Sequence, residues 1–173
     1  IWVYEFSAMQ YVRIRLFLVI YSAAWVLLSP LILAYFFYRG LKDNDYRKNI
    51  SERIGLGPSA DVNVWIHAVS LGELRALERL IKKILLEKNK ILLTCITPAA
   101  RRYCLKAYST EITNRNLNIS YMPLDFPIFY KQFFKRFKPK LCLIAEQEIW
   151  PMLLFETSRN SIPTFLINSQ MTN

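Results

Sequence analysis

Between Leu16 and Tyr38 the chain reads LFLVIYSAAWVLLSPLILAYFFY, 23 residues without a charged side chain. As a helix this run is about 34 Å long, enough to cross a hydrocarbon core of about 30 Å. Pro30 allows a kink of the kind membrane helices tolerate. Tyr11, Tyr21, Tyr35 and Tyr38 lie along the run or near its ends, as interfacial aromatics do. A secretory signal would be shorter and would end on small residues, and Tyr38-Arg39-Gly40 does not fit that pattern. The expectation is an uncleaved membrane anchor helix over 12–38. Arg39, Lys42, Arg47, Lys48 and Arg53 follow the run, whereas Arg13 and Arg15 precede it. This asymmetry predicts that the C-terminal part faces the cytoplasm. Residues 1–11 read as an extension, with Met9 a candidate start, and 39–60 as a basic juxtamembrane linker.

Past Gly57-Pro58 the pattern changes, and 61–173 reads as one α/β domain. Val62–Val69, Ile91–Ile96, Asn118–Met122, Leu141–Ala145 and Thr164–Ile167 are short, mostly continuous apolar runs. Strands of a parallel sheet covered on both faces look like this. Between them, Gly72–Lys88, Ala99–Tyr108, Pro127–Phe137 and Trp150–Arg159 carry helical periodicity. Alternation of this kind predicts an open, Rossmann-like parallel sheet. Neither G-x-G-x-x-G nor a P-loop is present, which disfavours a dinucleotide site.

The formal net charge of +10 favours an anionic partner: a membrane surface, a phosphorylated substrate or nucleic acid. Nucleic acid is the weakest of these. Lys131, Lys135, Arg136, Lys138 and Lys140 alternate with Phe133, Phe134 and Phe137 as an amphipathic helix would, aromatics inward and bases in water. Three scattered cysteines and one histidine exclude a disulfide framework and a Cys/His zinc site.

Ligands of such sheets bind beyond the carboxyl ends of the strands. The residues there include Ser70, Gly72 and Glu73, Thr97, Asp125, and Glu146, Glu148 and Trp150. Glu73, at a helix start, reads either as a general base or as half of an S-x-x-E capping box with Ser70. Glu146 and Glu148, two apart, read either as a site or as a helix entry.

The ordered set of motifs resembles the N-terminal half of the lipid A 3-deoxy-D-manno-octulosonic acid (Kdo) transferases, glycosyltransferase family 30. The matching pieces are Tyr38-Arg39-Gly40 after the apolar helix, Glu52-Arg53-Ile54-Gly55, His67-Ala68-Val69-Ser70-Leu71-Gly72-Glu73, Thr94-Cys95-Ile96-Thr97-Pro98, Pro123-Leu124-Asp125 and Glu146-Gln147-Glu148-Ile149-Trp150-Pro151. The resemblance implies a two-domain GT-B enzyme that needs no metal or other cofactor. Such an enzyme moves Kdo from CMP-Kdo to a phosphorylated lipid A precursor (lipid IVA) in lipopolysaccharide biosynthesis at the bacterial inner membrane. It implies Glu73 as the catalytic base and Glu146 as a further essential acid, with Ser70, Gly72, Thr97, Glu148 and Trp150 near the substrate. CMP-Kdo would be held by a C-terminal donor domain, so residues 1–173 are expected to be inactive alone. Arg79, Met152 and the segment Asn168–Thr172 depart from the family pattern. The alternative is a membrane-anchored domain, or a degenerate remnant, that binds anionic lipid without turnover.

Overall fold

In the computed structural model, residues 8–145 and 150–167 are described. The chain opens with α1 (Ala8–Lys42), a 35-residue helix that runs through Pro30 without interruption. From Val12 to Lys42 it has a mean hydropathy of 2.3 in its most apolar stretch, long and apolar enough to cross a membrane.

A 3-10 turn at Asn44–Arg47 and the short α2 (Ile50–Arg53) follow. Within the stretch read as a basic juxtamembrane linker, Tyr46, Glu52 and Arg53 are buried. The reason is a long-range pairing. Arg101 grips Glu52 through two hydrogen bonds of 2.6 and 2.9 Å, and the backbone N–H of Tyr121 donates to the same carboxylate at 2.8 Å. The Arg53 guanidinium lies 3.8 Å over the ring of Tyr121 and donates to the Ile96 carbonyl at 2.8 Å. Gly55 closes the segment at φ +76°, where a Cβ would meet the Phe129 carbonyl oxygen at 2.2 Å, so this position requires glycine.

The sheet is five-stranded and parallel: β1 (Val64–His67), β2 (Ile91–Cys95), β3 (Leu117–Tyr121), β4 (Leu141–Ala145) and β5 (Thr164–Ile167), in the order β3-β2-β1-β4-β5. Each falls on one of the five predicted apolar runs, shorter or shifted by at most two residues at an end. The continuous apolar character follows from burial on both faces. Ile66, Leu93, Leu117 and Leu143 point into one core with α3 (Leu71–Ala76), α4 (Glu78–Leu86), α5 (Pro98–Ala107) and α6 (Ser109–Thr113). Trp65, Leu92, Cys142 and Ile144 point into the other with α7 (Pro127–Arg136) and α8 (Pro151–Arg159).

The periodic stretch Gly72–Lys88 is two helices rather than one. Leu77, buried between them, sits at φ −89°, ψ −3°, which flattens one turn while its own N–H still reaches the Glu73 carbonyl. In α7, Phe133 and Phe137 are buried while Lys131 and Lys135 stay in water, the amphipathic arrangement the spacing predicted. Tyr21 departs from the interfacial role expected of it. It turns inward and donates from its hydroxyl to Asp125 at 2.8 Å.

Candidate functional site

The chain leaves β1 towards β2 on one side, and β4 pairs with β1 on the other. Connections that diverge from neighbouring strands open a crevice at their carboxyl ends, the usual ligand position in a doubly wound sheet. The segment after β1, Ala68 to Glu73, forms one lip of that crevice. Trp150 and α8, which follow β4, belong to the other. Glu146 and Glu148 lie between Ala145 and Trp150, outside the described residues.

Ser70 is the N-cap of α3, extended at φ −115°, ψ 164°, and its hydroxyl oxygen accepts from the Glu73 N–H at 3.3 Å. The Glu73 carboxylate folds back in return. One oxygen accepts from the Val69 N–H at 2.8 Å; the other accepts from the Ser70 N–H at 3.2 Å and the Ser70 hydroxyl at 2.7 Å. The S-x-x-E spacing therefore forms a reciprocal capping box. These contacts do not exhaust the group. A carboxylate offers about four lone-pair sites, and three donors occupy three of them, leaving one on the oxygen bonded to Val69. Glu73 is 7 % exposed, held in one rotamer at the edge of the crevice. Gly72, beside it, is exposed, and a Cβ there would meet nothing nearer than the Ser70 hydroxyl at 3.7 Å. The fold does not demand glycine at this position, and the bare backbone leaves room for a ligand to approach α3.

Thr97 caps α5, accepting from the Ala100 N–H at 3.3 Å, and its own O–H remains available as a donor. Trp150 occupies the N-cap position of α8 without capping it, and its indole packs against the second core. The indole N–H is buried and has no partner among the described residues.

The capping of α8 comes from Asp125. Its carboxylate accepts from the Met152 and Leu153 N–H groups at 3.1 and 3.0 Å and from the Tyr21 hydroxyl. Burial pushes its pKa above the ordinary carboxylate value, against these stabilising bonds. Sequence reasoning placed Asp125 at the crevice but gave it no role, because its partners lie 27, 28 and 104 residues away.

His67, the last residue of β1, is fully buried. Its Nδ1 lies 3.0 Å from the Thr94 hydroxyl and 3.2 Å from the Thr94 carbonyl, while Nε2 has no partner among the described residues. Burial lowers its pKa to about 4, so the ring is neutral at physiological pH. Among the described residues no three His, Cys, Asp or Glu side chains gather where a metal ion could be held.

Residues 48–173 match the profile of the family described as 3-deoxy-D-manno-octulosonic-acid transferase (kdotransferase). The chain belongs to this family. A 3-deoxy-D-manno-octulosonic acid transferase of Haemophilus influenzae is 27 % identical over 158 residues, covering 88 % of this chain and 36 % of the relative. One from Bordetella pertussis is 33 % identical over 109 residues, 63 % of this chain and 26 % of its own length. A probable mitochondrial 3-deoxy-D-manno-octulosonic acid transferase of Arabidopsis thaliana is 31 % identical over 159 residues, 88 % of this chain and 34 % of the relative. This chain thus spans between about a quarter and just over a third of these three relatives. The structure places the segment His67–Glu73 at the point where the connections of the sheet diverge.

Proposed function

We propose that this chain is the acceptor-binding half of a membrane-attached GT-B glycosyltransferase. In this reading it moves Kdo from CMP-Kdo to a lipid A precursor at the cytoplasmic face of the inner membrane. The observation that carries the reading is the Glu73 carboxylate, fixed by three donors at the crevice with one acceptor site left on the oxygen bonded to Val69. That site takes the proton of the acceptor hydroxyl as its oxygen bonds to the anomeric carbon of Kdo, and CMP departs with the electrons of the broken bond. The Val69 and Ser70 donors keep the carboxylate aimed while it is neutralised. The exposed Gly72 backbone and the Thr97 hydroxyl line the acceptor's side of the crevice; Trp150, whose indole N–H is buried, and Glu146 and Glu148 are assigned there on the motif alone. CMP-Kdo is held by a donor domain that residues 1–173 do not include, and α1 brings the crevice to the lipid.

The test joins residues 1–173 to the donor portion of a relative and measures Kdo transfer to a lipid A precursor. The joined protein is expected to turn over and residues 1–173 alone are not. Glu73→Gln keeps the shape of the side chain and is expected to slow the joined protein by about 10²–10⁴-fold, the size of a lost general base, with acceptor binding little changed. Near-normal turnover with a lowered melting temperature would leave Glu73 as a capping residue and favour lipid binding without catalysis.

A further inference from the structure

The buried and half-buried residues of α1 fall on one stripe. Ile14, Leu18, Tyr21, Trp25, Ile32 and Phe36 recur at helical spacing and mark a single face. That face meets the domain at both ends and near its middle. Leu18 is 6 % exposed and belongs to the core beneath α8. Tyr21 bonds to Asp125, Trp25 and Ile32 share a groove with Ile54, Leu124 and Phe129, and Phe36 faces the Arg53 guanidinium at 4.8 Å. Ile14 to Phe36 is about 33 Å of helix, nearly the whole length of the apolar run.

The rest of the helix surface is bare. Leu16, Val19, Leu27, Leu31 and Phe37 are 61 to 79 % exposed, with Leu27 the most. A helix apolar all round normally crosses the bilayer, and one lying flat normally carries a polar face of its own. Here the domain supplies the second face. A crossing α1 would have to drag Asp125, Arg53 and the loops bonded to it into hydrocarbon, or give up every contact on the stripe.

We infer that α1 lies in the plane of an anionic membrane surface, outward face in the acyl region and inner face on the domain, and does not cross the bilayer. The inference rests on the membrane attachment proposed above and specifies its geometry. Charge selects lipid over a second copy of the chain as the occupant. Arg13 stands at one end of α1 and Arg39 and Lys42 at the other. Lys131 and Lys135 line a neighbouring groove of about 580 Å³ that also holds Ile128, Phe134 and the Arg159–Glu156 ion pair. Such a basic rim attracts anionic headgroups and repels its own copy.

The test adds the full chain, diluted from detergent, to preformed vesicles of phosphatidylglycerol and phosphatidylcholine. Cys95, Cys104 and Cys142 are buried, so a membrane-impermeant maleimide reports on introduced cysteines. Arg13→Cys and Lys42→Cys, at exposed charged positions near the two ends of α1 that a flat helix keeps at headgroup level, are expected to react from outside to within about twofold of each other, because both ends stay on the domain's side. Nitroxides at Leu16→Cys, Leu27→Cys and Tyr38→Cys, exposed positions on one outward face, are expected at one shallow depth, about 5–10 Å below the headgroups. Arg13→Cys protected until detergent is added, with Leu27 deepest, would overturn the in-plane geometry and leave attachment standing. A full chain that does not sediment with the vesicles would overturn attachment itself.

Discussion

Glu73 and Asp125 are both buried acids at the carboxyl edge of the sheet, and both bond to N–H groups at a helix N-terminus. They differ in how the bond partners are chosen. Glu73 is served by Val69 and Ser70, within four residues of itself. Asp125 is served by α8 and by α1, elements 27 to 104 residues away along the chain. The local box leaves an acceptor site open at the crevice, whereas the long-range cap joins three elements through one carboxylate. The first suits chemistry and the second suits architecture.

If that distinction holds, Asp125→Ala has the largest effect on stability. It leaves the Met152 and Leu153 N–H groups and the Tyr21 hydroxyl without their acceptor, at about 4 kcal/mol in total, since each buried orphan costs about 1–3 kcal/mol. Chemical denaturation of the detergent-solubilised chain reads this. A loss near that of an ordinary surface change, within about 0.5 kcal/mol, would make the α1–α8 junction decorative.

His67 stands between the two cases, bonded to the neighbouring strand through Thr94. Its folded pKa of about 4 lies below the unfolded value of 6.5, so the unfolded chain binds the proton first. The stability it confers is whole above pH 6.5 and is lost as pH falls towards 4, about 3 kcal/mol over the interval. A His67→Gln variant should show a flatter acid limb in the same pH-dependent denaturation series. An unchanged limb would mean that the imidazole charges without disturbing β1.

The smallest change is expected at the local box. Ser70→Ala removes a cap and costs about 1 kcal/mol, read as a modest fall in melting temperature. Because Val69 and Ser70 N–H groups still hold Glu73, the carboxylate should remain in place. A loss as large as that of Asp125→Ala would put the box among the architectural bonds.

The amino-acid sequence by itself determined the elements whose signal is local. The uncharged run gave α1, continuous apolar stretches gave the five strands, and S-x-x-E gave the box around Glu73, since each depends on residues at most a few turns apart. It did not determine where α1 rests, which acid caps α8, or that Glu52 and Arg53 are buried. Glu52 and Arg53 lie in a stretch that reads only as a basic linker, and their partners Arg101, Ile96 and Tyr121 lie 43 to 69 residues away. Those pairings were decided by tertiary structure, because only the order β3-β2-β1-β4-β5 brings α2, α5 and the end of β3 together on one side and α1, Asp125 and α8 on the other. A carboxylate with one remaining partner to choose takes whichever donor the packed sheet sets beside it.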